Sequence, residues 1–259
     1  MTNKLGAFFG LIIGLFSIFG AFFFEGGSFQ ALFLFSSILI VFGGTFSAII
    51  IGFGFDRFKN IAPLVQLAYF PTKYDVDEVI DTFIALSIKA RKEGLLSIEK
   101  DLNKFSYMFP KKMTKFVLDG TDADSLQSLA QLELRGMQER HYSNIFMFTK
   151  MGGYAPTMGI IGTVMGLILA LANAGMDPNL LIKNIATAFI ATLWGVFSAN
   201  ILWLPVGDRL KRCHLEEKNM MEISLEGVLT LQSGEIPSIM KARLIGMLPQ
   251  REQFRKMSS

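Results

Sequence analysis

Asp, Glu, Lys and Arg are missing altogether from four long stretches of the sequence, Leu5–Phe24, Ala31–Phe55, Met151–Met176 and Asn184–Gly207. A water-soluble domain spreads charge along its length to keep a polar surface, so this distribution excludes an ordinary soluble fold. Cysteine is nearly missing too: Cys213 stands alone, which excludes an intrachain disulfide framework. The two histidines, His141 and His214, have no metal-ligand spacing and read as ordinary polar residues. Phosphate-cradling glycine loops, paired metal-ligand motifs and a Ser/His/Asp set able to converge are also missing. Neither an enzyme nor a resident cofactor or metal is expected. The net charge of +3 is small and dispersed, which argues against a nucleic-acid partner.

What the sequence does hold is apolar bulk: 51% hydrophobic residues, with 25 Phe and 14 Met, against 18% charged. Its charge collects in two blocks, Asp56–Lys150 and Asp208–Lys256. Each uncharged stretch is near the about 20 residues a helix needs to cross the roughly 30 Å hydrocarbon layer. The first reads as a retained span rather than a signal peptide: its apolar core is overlong, and Glu25-Gly26-Gly27 follows instead of a cleavage site. Short links, Glu25–Gln30 and Asp177–Lys183, join the spans into two hairpins. Lys4, Arg57, Lys59, Lys150, Arg209, Lys211 and Arg212 flank one side and only Lys183 the other, which places both termini and both charged blocks in the cytoplasm. The expectation is an all-α integral membrane protein in four parts. These are a first transmembrane hairpin (1–55), a cytoplasmic helical domain (56–150), a second hairpin (151–207) and a cytoplasmic helical tail (208–259).

Within the first charged block, Asp75 is placed to cap a helix whose apolar face is Val79, Ile80, Phe83, Ile84 and Ile88, with Gly94 as its stop. A second helix is expected near Ser97 and a third after Pro110, ending at Gly120. An amphipathic run from Ser125 leads into the third span. The tail repeats the pattern over Leu215–Leu231, breaks at Gly234–Pro237, and ends in a helix near Ile239–Leu248.

Ion carriers normally place an ionisable group inside the bilayer. None occurs in these spans, so either the chain moves no ions or a partner supplies the carboxylate. Glycines recur at helix-packing spacing: Gly6, Gly10 and Gly14 in the first span, Gly159, Gly162 and Gly166 in the third. Such stripes let helix backbones approach closely, within one subunit or between two. Thr157, Thr163, Thr187, Thr192 and Ser198 supply hydroxyls in the last two spans. Each could bond its own helix; several on one seam could ligate a hard cation, which prefers oxygen. Pro156 lies inside the third span and Pro205 near the end of the fourth, where each removes a backbone donor and favours a bend or hinge.

The run Ala155-Pro156-Thr157-Met158-Gly159-Ile160-Ile161-Gly162-Thr163-Val164-Met165-Gly166-Leu167 closely resembles the third span of the MotA/PomA family of flagellar stator subunits. Ala191-Thr192-Leu193-Trp194-Gly195, with Ala199-Asn200 and Pro205, resembles its fourth. Glu25-Gly26-Gly27 with Gly43-Gly44-Thr45 resembles the first hairpin, Ala90-Arg91-Lys92-Glu93-Gly94-Leu95-Leu96 with Glu99 the cytoplasmic loop, and Glu222–Leu229 with Gln232-Ser233-Gly234 the tail. The related ExbB/TolQ scaffolds have a single span before the large cytoplasmic block, whereas this chain has two. The resemblance implies a pentameric ring in the bacterial inner membrane around a MotB/PomB-type dimer, which carries the membrane carboxylate. Sodium or proton flow would then drive torque on the rotor's switch ring. It further implies that Arg91 and Glu99 face the rotor, that Pro156 and Pro205 serve coupling, and that Thr163 and Thr192 line the ion path. Thr163 favours sodium; Ala191 departs from the sodium pattern, which commonly has a threonine there.

Overall fold

The computed structural model describes residues 2–173, 175 and 178–257. All the regular structure among them is helical. Helix α1 (Thr2–Leu15) runs through a π turn (Phe16–Gly20) to Phe24. The apolar segment α2 (Phe29–Phe53) is interrupted at Phe33–Leu34 and ends at Gly54, whose φ of 81° only glycine adopts readily. Two short helices follow, α3 (Phe55–Lys59) and α4 (Ile61–Tyr69), and then α5 (Val76–Glu93). A 3₁₀ segment (Leu95–Lys104) leads to α6 (Met108–Leu118) and to the long α7 (Ala123–Ala172). The last elements are α8 (Pro178–Gln232), with an internal π turn at Ser198–Trp203, then α9 (Pro237–Gly246) and α10 (Gln250–Met257). By length and composition α2, α7 and α8 can each cross a membrane, while Phe8–Phe24 forms a shorter apolar helix.

Several boundaries follow local chemistry. Asp75 Oδ1 accepts from the Glu78 N–H at 3.1 Å, the expected N-cap of α5, and Gly94 ends that helix at φ 86°. Gly120 (φ 84°) follows α6 in the same manner. Pro110 lies in the first turn of α6, where its missing N–H costs no hydrogen bond. The helix expected near Ser97 is a 3₁₀ helix, and α10 was not foreseen from the sequence. The helix bounds around the last two uncharged stretches also differ from the link expected between them. The apolar part of α7 stops at Ala172, and α8 starts at Pro178, so Lys183 lies inside a helix rather than in the link. Met176 and Asp177, named as a span end and a link start, lie outside the described residues. The uncharged stretch Asn184–Gly207 and the amphipathic tail form one continuous helix, Pro178–Gln232.

The chain divides into two compact units. One comprises Met1–Thr72 with His141–Arg212, the other Lys73–Arg140 with Cys213–Ser259. The second unit has its own core. Val79, Ile80, Phe83 and Leu86 of α5 meet Ile98, then Phe109, Met113 and Val117 of α6, Leu126 and Met137 of α7, and Met220 and Ile223 of α8. Ile88, expected on the buried face, is 43% exposed; Leu86 takes its place. Gly227 lets Phe83 lie against α8, since a Cβ there would stand 2.7 Å from the ring. In the first unit Val41 and Ile49 of α2 pack with Met147, Phe148, Met151 and Ala155 of α7 and with Ala199, Trp203 and Val206 of α8.

Candidate functional site: an oxygen cluster on a glycine seam

Within the first unit the apolar parts of α7 and α8 meet along small residues. A Cβ on Gly159 would stand 3.0 Å from the Ala191 carbonyl oxygen, one on Gly162 2.5 Å from the Ala191 Cβ, and one on Gly166 3.0 Å from the Ala188 Cα. From the opposite side, a Cβ on Gly195 would lie 2.7 Å from the Ala155 carbonyl oxygen and 3.2 Å from the Pro156 Cα. Two backbones come this close only where neither carries bulk, and dispersion rather than hydrophobic exclusion holds helices together in lipid. Gly159, Gly162 and Gly166 therefore serve packing within the chain. In α1, Gly14 packs against Ile201, while nothing lies within 4 Å of the Cβ positions of Gly6 and Gly10.

Close approach brings two hydroxyls from different helices together. Thr163 Oγ1 lies 3.1 Å from the Gly159 carbonyl oxygen and 3.1 Å from that of Ala188, and it shares a short hydrogen bond with Thr192 Oγ1. Thr192 Oγ1 is 3.5 Å from the same Gly159 oxygen. Two hydroxyl protons thus serve four neighbouring oxygens, leaving acceptor lone pairs in excess, the donor set a hard monovalent or divalent cation favours. Both threonines are half-buried. The other hydroxyls bond within their own helix: Thr157 to the Tyr154 carbonyl (2.8 Å), Thr187 to Lys183 (2.9 Å) and Ser198 to Gly195 (3.2 Å). Ala191 sits directly against Gly162, so a threonine there would press its branched side chain into the seam.

The two carbonyls, Gly159 and Ala188, were not read from the sequence. Their signal was available: Gly159 precedes Thr163, and Ala188 precedes Thr192, by one helical turn, so each carbonyl lies on its threonine's own face. The partnership of Trp194 was also missed. Its indole N–H donates to the Leu32 carbonyl at 2.8 Å, satisfying an oxygen that the α2 interruption releases from the helix ladder. Phe33 and Phe197 pack edge-on against that indole. Ser37 Oγ, likewise on α2, donates to the Thr187 carbonyl of α8 at 3.1 Å.

Pro156 sits within α7 without breaking it, and the seam runs past it beside Gly195. Pro205 follows directly on the π turn of α8, where the Leu204 N–H reaches the Ala199 carbonyl five residues back. A widened turn ahead of the ring eases its clash with the preceding turn. Arg91 closes α5 and Glu99 lies in the 3₁₀ segment of the second unit, both exposed.

The family model described as MotA/TolQ/ExbB proton channel matches residues 100–223, and that described as Motility protein A N-terminal matches residues 8–94. Motility protein A of Bacillus subtilis is 33% identical over 89% of this chain and 86% of its own length. Chemotaxis protein PomA of Vibrio alginolyticus is 28% identical over 85% of each. Among solved structures, the flagellar MotAB stator complex of Bacillus subtilis superposes with a TM-score of 0.88 at 32% identity, over 96% of this chain and 97% of that one. The C. jejuni MotAB structure also gives 0.88, at 25% identity and the same coverage. The two family models, these relatives and the shared fold together place the chain in the MotA/TolQ/ExbB proton channel family, as a stator subunit of the Motility protein A type.

Proposed function

We propose that this stator subunit crosses the bacterial inner membrane four times with both termini in the cytoplasm, encloses a MotB/PomB-type dimer as a pentamer, and couples sodium entry to torque on the rotor's switch ring. One observation carries the choice of ion: Thr163, Thr192 and the carbonyls of Gly159 and Ala188 form an oxygen cluster with no ionisable group among them. Such a cluster strips water from a hard cation more readily than it relays a proton. The membrane carboxylate then belongs to the partner, as the MotAB composition of the structural neighbours supports. Orientation is supported by cations gathered at one end of the helices. Arg57 Nη1 donates to Asn144 Oδ1 at 3.1 Å, and Arg209 Nε to the Ala68 carbonyl at 2.7 Å. Lys59, Lys150 and Arg209 each lie over an aromatic ring, a placement suited to the membrane interface.

In this reading the seam between α7 and α8 is the element ion passage perturbs. Pro156 and Pro205 mark where each helix can bend, and Arg91 and Glu99 carry the motion to the rotor. Available energy is about 2.3 kcal/mol per unit charge for each 100 mV of membrane potential, so sustained torque takes many ions. The test is swimming speed against sodium concentration at fixed pH and ionic strength, in stator-deficient cells carrying this chain and its partner. Swimming that stops without sodium supports the reading; swimming that persists assigns protons instead and returns the threonines to helix packing.

A further inference from the structure

The turn between α5 and the 3₁₀ segment is held more firmly than its exposure suggests. Gly94 makes it with φ 86°, and its carbonyl accepts from both the Ser97 N–H (3.2 Å) and the Ser97 hydroxyl (2.7 Å). Beyond it Ile98 is fully buried and Leu102 only 6% exposed, so the 3₁₀ segment is pinned to the core. Glu99 is exposed between these two anchors, as is Leu96 at 73%.

Across this turn Lys89 Nζ donates to Asp101 Oδ2 at 2.7 Å, and Lys104 Nζ meets the other carboxylate oxygen at 3.1 Å. The Asp101 side chain is 18% exposed and that of Lys89 33%, so the pair is partly shielded from water. Lys89 stands two residues before Arg91, and Asp101 two residues after Glu99. We propose that Lys89 and Asp101 are positioning residues: their bridge holds the end of α5 against the 3₁₀ segment, so that Arg91 and Glu99 are presented to the rotor as one rigid pair of opposite charges. This rests on the rotor-facing reading of Arg91 and Glu99. The mutual hydrogen bond raises the Lys89 pKa and lowers that of Asp101, so the bridge is charged throughout the physiological range. A partly exposed ion pair adds little to folding. Its effect here falls on geometry, because it closes a short turn between two elements that are each anchored separately.

The experiment is a double-mutant cycle in stator-deficient cells carrying the full chain and its partner, with membrane levels of each variant measured and swimming recorded under viscous load. Lys89→Gln and Asp101→Asn each lower speed about two- to fivefold, as loss of a partly exposed pair allows. The double variant is no slower than Asp101→Asn alone, since that change already removes the contact that Lys89→Gln breaks. Lys89→Arg keeps the bridge and swims near wild type. Arg91→Glu is the control for the underlying reading, and it abolishes swimming. Neutral variants that swim normally beside a stalled Arg91→Glu, or single losses that simply add, overturn the bridge alone. Normal swimming by Arg91→Glu overturns the rotor-facing reading and the positioning role with it.

Discussion

A Cβ placed on Gly195 would stand 2.7 Å from the carbonyl oxygen of Ala155, closer than side-chain carbons approach backbone. That approach, with those of Gly159 and Gly162, sets how near α8 lies to α7, and hence whether Thr192 reaches Thr163. The hydroxyl pair is a consequence of glycine, not of threonine alone.

Gly195→Ala should therefore separate the seam and abolish motility, with a loss of complex stability of about 1–3 kcal/mol from overpacking. Thermal unfolding of the purified complex measures the second effect. An unchanged midpoint would show that the helices do not meet as described. Gly6→Ala is the matched control, since nothing lies within 4 Å of its Cβ position.

Thr163→Ala removes the hydroxyl that touches both neighbouring carbonyls and Thr192. Under the proposed sodium coupling it should raise the sodium concentration for half-maximal swimming by about tenfold, the loss of one hydrogen-bonding oxygen from a half-buried site. Thr163→Ser keeps the oxygen and should restore most of the sodium response. If serine and alanine behave alike, the methyl group matters and the oxygen does not.

Trp194→Phe leaves the ring stacking largely in place but strands the Leu32 carbonyl. An unsatisfied buried carbonyl costs about 1–3 kcal/mol. The complex should melt earlier, with local loosening at Phe33–Leu34 visible as faster hydrogen exchange there. Unchanged exchange would mean that another donor reaches Leu32.

Acid should loosen the second unit. Asp122 accepts from the Ser125 N–H at 2.9 Å, and this hydrogen bond holds its carboxyl below the usual value of 3.8; Asp101 is lowered too, by its hydrogen bonds to Lys89 and Lys104. A folded pKa below the unfolded one gives stability that is present above the unfolded value and lost as pH falls through the folded value. Helicity measured by circular dichroism should thus fall below about pH 4. Asp122→Asn, which keeps an accepting oxygen without the charge, should flatten that decline. A decline as steep as wild type would remove Asp122 from the account.

The helical class, the uncharged stretches, the Asp75 cap, the Gly94 and Gly120 stops and the break at Gly234–Pro237 were legible in the linear chain. These depend on residues near one another in the chain: a carboxylate three residues from the N–H it caps, or a glycine where φ must be positive. The candidate site was half legible. Only the family resemblance singled out Thr163 and Thr192 from Thr157, Thr187 and Ser198, since periodicity does not say which two helices will touch. Tertiary structure made that choice, because only the Gly159, Gly162 and Gly195 approach brings oxygens 29 residues apart within one hydrogen bond. It also decided that Trp194 serves Leu32, that Lys89 meets Asp101, and that Ile88 faces outward while Leu86 faces in. Each of those outcomes depends on how elements distant in sequence fill one another's space, and a linear pattern carries no record of it.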